Sequence, residues 1–63
     1  MCLSNVYLIN AENERELICK NVASMSMKDG GKLVFTDLMG IPKTVQGTVE
    51  RVDLIDNYIL VRK

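Results

Sequence analysis

Histidine is missing from this 63-residue chain. Its absence excludes His-ligated zinc, Ser-His-Asp or Cys-His nucleophilic pairs and imidazole acid–base work. A surplus of either charge is also missing. Eight basic residues cancel eight acidic ones, and the isoelectric point lies near 6.1. A nucleic-acid binder needs a basic excess or a basic stripe. Here the basic residues are scattered, with Arg62-Lys63 the sole adjacent pair. Aromatic residues are scarce too: Tyr7, Tyr58 and Phe35 are few for a platform that stacks bases. Apolar runs are only a few residues long, so no transmembrane helix is expected. Cysteine occurs twice, which permits at most one disulfide, Cys2–Cys19. The start Met1-Cys2-Leu3-Ser4-Asn5 has neither the basic nor the apolar region of a secretory signal. Reduced thiols and a cytoplasmic location are therefore expected.

What the chain does have is strand pattern. Leu3–Ile9 is rich in branched and aromatic residues, and the polar Asn10–Glu14 reads as a turn. Arg15–Cys19 is a second strand, ending at a break around Lys20-Asn21. Val22–Met27 has period two, which places Ala23, Met25 and Met27 on one face, expected to point inward. Asp29-Gly30-Gly31 is a tight turn and lacks the further spacing of a phosphate loop. Lys32–Thr36 forms a strand with Leu33 and Phe35 on one face, and a connection follows from Asp37 to Pro42. Thr44–Val49 is extended, with Gly47 marking a bulge or bend that lets a small sheet curl. Glu50–Ile55 continues the alternation, Asp56-Asn57 turns, and Tyr58–Val61 closes the chain. Short strands between frequent turns predict an all-β fold: a small antiparallel SH3-like barrel of five to six strands, spanning residues 1–63 as one domain. So small a domain has a thin stability margin, and self-association is one means of reinforcing it.

Candidate chemistry is concentrated at the start. Methionine aminopeptidases remove an initiator that precedes a small residue, which would make Cys2 the first residue. Its α-amine and thiolate then close a five-membered chelate ring on a metal, with the Leu3 amide nearby. Such donors suit Ni(II) or Cu(II) better than Mg(II) or Ca(II). Both groups have reference pKa values of about 8, so a metal can displace their protons near neutrality. Elsewhere the residues read as structural. Met25 and Met27 are core filler, and Cys19 is a small buried hydrophobe. Glu12, Glu14, Glu16, Asp53 and Asp56 are charges on solvated turns. No cleft suits an enzyme in so small a domain.

The Met1-Cys2 start, the Leu3–Ile9 strand, the Asp29-Gly30-Gly31 turn and the segment Val49-Glu50-Arg51-Val52-Asp53-Leu54 together resemble the CooT family across the whole chain. The resemblance implies a small β barrel that serves carbon monoxide dehydrogenase maturation as a nickel-binding accessory protein. It further implies Cys2 as the nickel ligand, Ni(II) as the bound metal, and a homodimer holding one nickel between two N-termini. It promotes no other residue to ligand. Two alternatives stand beside it: a small barrel that binds RNA, against which the neutral charge argues, and a metal-free module that docks a larger protein.

Overall fold

The structure, a computed structural model, describes residues 3–63. Six strands follow in order: β1 (Ser4–Ile9), β2 (Arg15–Lys28), β3 (Lys32–Asp37), β4 (Pro42–Gln46), β5 (Thr48–Asp53) and β6 (Tyr58–Arg62). They form one sheet in the order β4-β3-β2-β1-β6-β5. The all-β expectation holds, as do most of the turns. Asn10 caps the first turn through Oδ1, which accepts from the Glu12 and Glu14 amides at 2.9 Å. Gly30 and Gly31 carry φ angles of 78° and 74° in the β2–β3 hairpin, the left-handed region a tight turn needs.

β2 is one continuous strand where the sequence suggested two. Asn21 takes φ 55°, which asparagine tolerates better than most residues, so the strand bends without ending. Val22, just past the bend, pairs with Ser4 of β1 on one side and Asp37 of β3 on the other. The first half of β2 thus serves β1 and the second half serves β3, and the sheet folds over at this point.

Two details of the expected barrel differ. The sheet is not closed, because β4 and β5 lie at its opposite edges with no pairing between them. The β1–β6 pair is parallel, with Val6 opposite Ile59 and Leu8 opposite Val61. The parallel pair follows from the connection through Gly47, the single residue between β4 and β5. Its amide donates to the Gly31 carbonyl at 3.0 Å, so β5 starts beside the β2–β3 turn. From there β5 runs back toward the start of β1, and its hairpin partner β6 must run in the same direction as β1. A Cβ on Gly47 would stand 2.8 Å from both the Arg62 carbonyl oxygen and Val61 Cγ1. The bend therefore requires glycine for close approach to β6.

Val6, Val22, Leu33, Phe35, Ile59 and Val61 form the core, with Leu8, Ile18, Cys19, Met25, Val45 and Val49 packed around it. Val6, Phe35 and Val61 are wholly buried. Leu33 and Phe35 share the inner face, as their spacing predicts. Met27 does not join them and is 73 % exposed, while Ala23 is exposed too. Met27 shares its face with its register partner, the buried Leu33, yet borders an open cavity beside Gly31 and Gly47, so alternation assigned the face but not the burial. On the other face Tyr7 and Tyr58 meet edge-to-face, their centroids 6.5 Å apart. Beyond them Arg62 Nε donates to Glu50 Oε1 at 2.6 Å and Nη2 to Asn13 Oδ1 at 3.0 Å, pinning the last strand to the first turn. The Arg62 hydrogen bond holds the Glu50 carboxyl below the usual glutamate range and raises Arg62 in turn.

Candidate functional site

Cys2, the proposed ligand, lies outside the described residues. The described chain enters the sheet at Ser4, the first residue of β1. Ser4 pairs with Val22, and the Asn5 amide donates to the Asn57 carbonyl at 3.0 Å. The Leu38 amide donates to the Asn21 carbonyl at 3.0 Å. Three features therefore converge at one end: the start of β1, the β3–β4 turn and the β5–β6 turn. Beside the start of β1 runs a groove of about 240 Å³ lined by Ser4, Val22, Met25, Val52, Leu54 and Ile59.

Each turn is built around an aspartate. Asp37 Oδ1 accepts from the Met39 amide at 2.9 Å and the Ile41 amide at 3.0 Å, and Gly40 supplies φ 81°. Asp53 Oδ1 accepts from the Ile55 amide at 3.0 Å and the Asp56 amide at 2.8 Å. The Asp56 amide is the main reason the Asp53 carboxyl sits below the usual aspartate range; partial burial opposes this, and the Ile55 amide and Arg51 add to it. With the carboxylates turned onto backbone amides, the intervening side chains face outward. Leu38, Met39 and Ile41 are exposed on one turn, Leu54 and Ile55 on the other.

The other sequence candidates do not gather here. Cys19 is a free, half-buried thiol opposite Val6, packed on the core. Glu12, Glu14 and Glu16 are exposed on the first turn and the start of β2, at the far end of β1. Met25 borders the groove, whereas Met27 lies on a separate cavity beside Gly31 and Gly47. Among the described residues no three His, Cys, Asp or Glu side chains converge as a metal site. Ile55, expected in a strand, belongs to the turn. Asp53, read as a solvated charge, is a turn cap. The signal for the two turns was present in the sequence as a repeated Asp-Leu-(Met/Ile), at Asp37-Leu38-Met39 and Asp53-Leu54-Ile55.

A family model described as CO dehydrogenase accessory protein CooT matches residues 1–62. The chain belongs to the CooT family. The match takes in Met1-Cys2 as well as the whole described sheet. The crystal structure of a protein designated a candidate CooT from Carboxydothermus hydrogenoformans aligns with a TM-score of 0.87. That alignment covers 98 % of this chain and 97 % of the other, with 22 % of residues identical, and so establishes a common fold. No curated protein matches the chain. Membership places this CooT-family chain among accessory proteins for CO dehydrogenase, consistent with a part in the enzyme's maturation.

Proposed function

We propose that the protein binds Ni(II) through the N-terminal Cys2 thiolate and delivers it to carbon monoxide dehydrogenase in the cytoplasm. The observation that carries this reading is the CooT match that begins at residue 1 and includes the second-position cysteine. The donor chemistry supports it. With Met1 removed, the Cys2 amine and thiolate bind nickel through two donors, and two chains sharing one ion supply four for a square plane. Anchoring supports it as well, because β1 is held on both sides immediately after Leu3, by β2 and by β6. A homodimer around one ion is the resting form in this reading. A site of so few protein donors suits an ion that has to be released.

The test is a nickel titration of tag-free protein, with Met1 removal checked by intact mass, comparing wild type with Cys2→Ser. Saturable binding with thiolate-to-nickel charge-transfer absorption is expected for wild type and absent from the variant. One metal per two chains is expected in the mass of the saturated species. Equal affinity in Cys2→Ser would refute the site.

A further inference from the structure

The hairpin that joins β2 to β3 carries two features that its own stability does not explain. Lys28 and Lys32 stand directly opposite each other as its last register pair. Like charges placed across from one another repel. Among the described residues the ion pairs are Arg51–Asp53 and Arg62–Glu50, and neither lysine joins one. Asp29, in the turn between them, is in no ion pair either. The second feature is Met27, which shares a face with the buried Leu33 and is nonetheless 73 % exposed.

Both features border one cavity of about 390 Å³, which opens between the hairpin and the start of β5. Its apolar wall is Met27, Leu33 and Val49, and Lys28 and Lys32 border it on the hairpin side. The volume falls within the range of small-molecule sites, about 300–1,000 Å³. Alternation starts the two lysine side chains from the face opposite Met27 and Leu33. Their pair is the last before the turn, however, and a flexible four-carbon stem is long enough to bring each ammonium round the hairpin end.

The occupant follows from the charge and the lining together. An anion relieves the repulsion between Lys28 and Lys32, and an apolar body takes Met27, Leu33 and Val49 out of water. Inorganic phosphate supplies the first alone, and a neutral alcohol the second alone. We propose that this cavity binds an amphipathic monocarboxylate, with the carboxylate between Lys28 and Lys32 and the hydrocarbon chain on Met27, Leu33 and Val49. Octanoate is of a suitable size. Its seven saturated carbons, at about 30 Å³ each, the room a water takes in the liquid, fill roughly 200 Å³. The site is independent of the nickel reading. Lys28 is six residues along β2 from Val22, the partner of Ser4, which puts the cavity on the order of 20 Å from the start of β1.

The test is a titration of the full chain with octanoate, followed by amide chemical shifts, with octanol and inorganic phosphate as comparison ligands. Saturable shifts centred on Met27, Gly31, Leu33 and Val49 are expected with octanoate. The double variant Lys28→Ser/Lys32→Ser is expected to weaken octanoate binding about tenfold, the scale of hydrogen bonds to a charged group. Its melting temperature should be unchanged or raised, because a repulsion is removed. Met27→Ser weakens octanoate binding as well, by less. Equal octanoate affinity in the double variant would overturn the proposal, and so would octanol binding as tightly as octanoate. Phosphate that matches octanoate in affinity would overturn it too, by leaving an anion site with no use for the cavity. Shifts that do not saturate, or that spread across the surface, would do the same. Movement of these amides with protein concentration alone would assign the cavity to a second copy instead.

Discussion

Replacing Gly47 by alanine tests the geometric demand for glycine at the β4–β5 bend. The new Cβ would lie 2.8 Å from the Arg62 carbonyl oxygen and 2.8 Å from Val61 Cγ1, inside the 3.0 Å that Cβ contacts essentially never breach. Rotation of the Val61 side chain relieves one of these contacts, though Val61 is wholly buried. The other contact is with backbone, and relief there requires β6 to move away from the β4–β5 junction. Overpacking of this kind costs about 1–3 kcal/mol. In a domain of this size each kcal/mol lowers the melting temperature by about 4–8 °C. A fall of roughly 4–24 °C is therefore expected by calorimetry or thermal circular dichroism. Gly40→Asn serves as the comparison. Gly40 has φ 81° and nothing within 4 Å of a built Cβ, so a residue that tolerates the left-handed region loses little there. Gly47→Asn, by contrast, meets the same wall as Gly47→Ala. If Gly47→Ala melts within about 2 °C of wild type, a small fraction of the expected shift, the close approach to β6 is not what demands glycine.

Two further outcomes follow from the core and from the turns. Phe35 is wholly buried, and Phe35→Ala is expected to cost about 3–5 kcal/mol, against about 3–9 kcal/mol of total stability for a chain of this length. Far-UV circular dichroism at 25 °C should show a largely unfolded or barely cooperative chain, and near-wild-type melting would contradict the core assignment. For Asp53 the folded carboxyl lies below its ordinary value of about 3.9, so its stabilisation is complete above that pH and is lost as pH falls through the lower folded value. Melting temperature should therefore decline below about pH 4, and Asp53→Asn should remove part of that decline while leaving the rest, to which Glu50 contributes by the same sign. Identical acid profiles for wild type and Asp53→Asn would show that the β5–β6 turn does not depend on the carboxylate charge.

Much of the strand pattern was legible because the local physics agreed with the final fold. Leu33 and Phe35 alternate with polar neighbours in a strand whose inner face meets the core. The two glycines after Asp29 supply the φ values that the hairpin requires. Gly47 was legible as a bend without any account of what it approaches. Alternation misled at Met27, because period two shows which residues share a face and not whether the core extends beneath that face. The break read at Lys20-Asn21 was a local signal interpreted correctly in kind. Asparagine does adopt a left-handed conformation there, but pairing with β1 before the bend and with β3 after it carries the strand through.

The candidate site divides in the same way. Its proposed thiol is a matter of sequence, since a cysteine in second position would acquire its amine by processing and its chemistry from being terminal. The apolar character of the turns is also written in the chain, as Asp37-Leu38-Met39 and Asp53-Leu54-Ile55. Only the tertiary structure brings those segments together beside Ser4, because their convergence depends on the bend at Asn21 and on the crossing from β4 to β5 at Gly47. The same crossing sets the parallel β1–β6 pair. Sequence by itself determined the all-β class and most turn positions, each a consequence of residues close together in the chain. Which strands became neighbours, which methionine packed against the core and what surrounds the start of β1 were decided by contacts between distant residues, which local patterns do not encode.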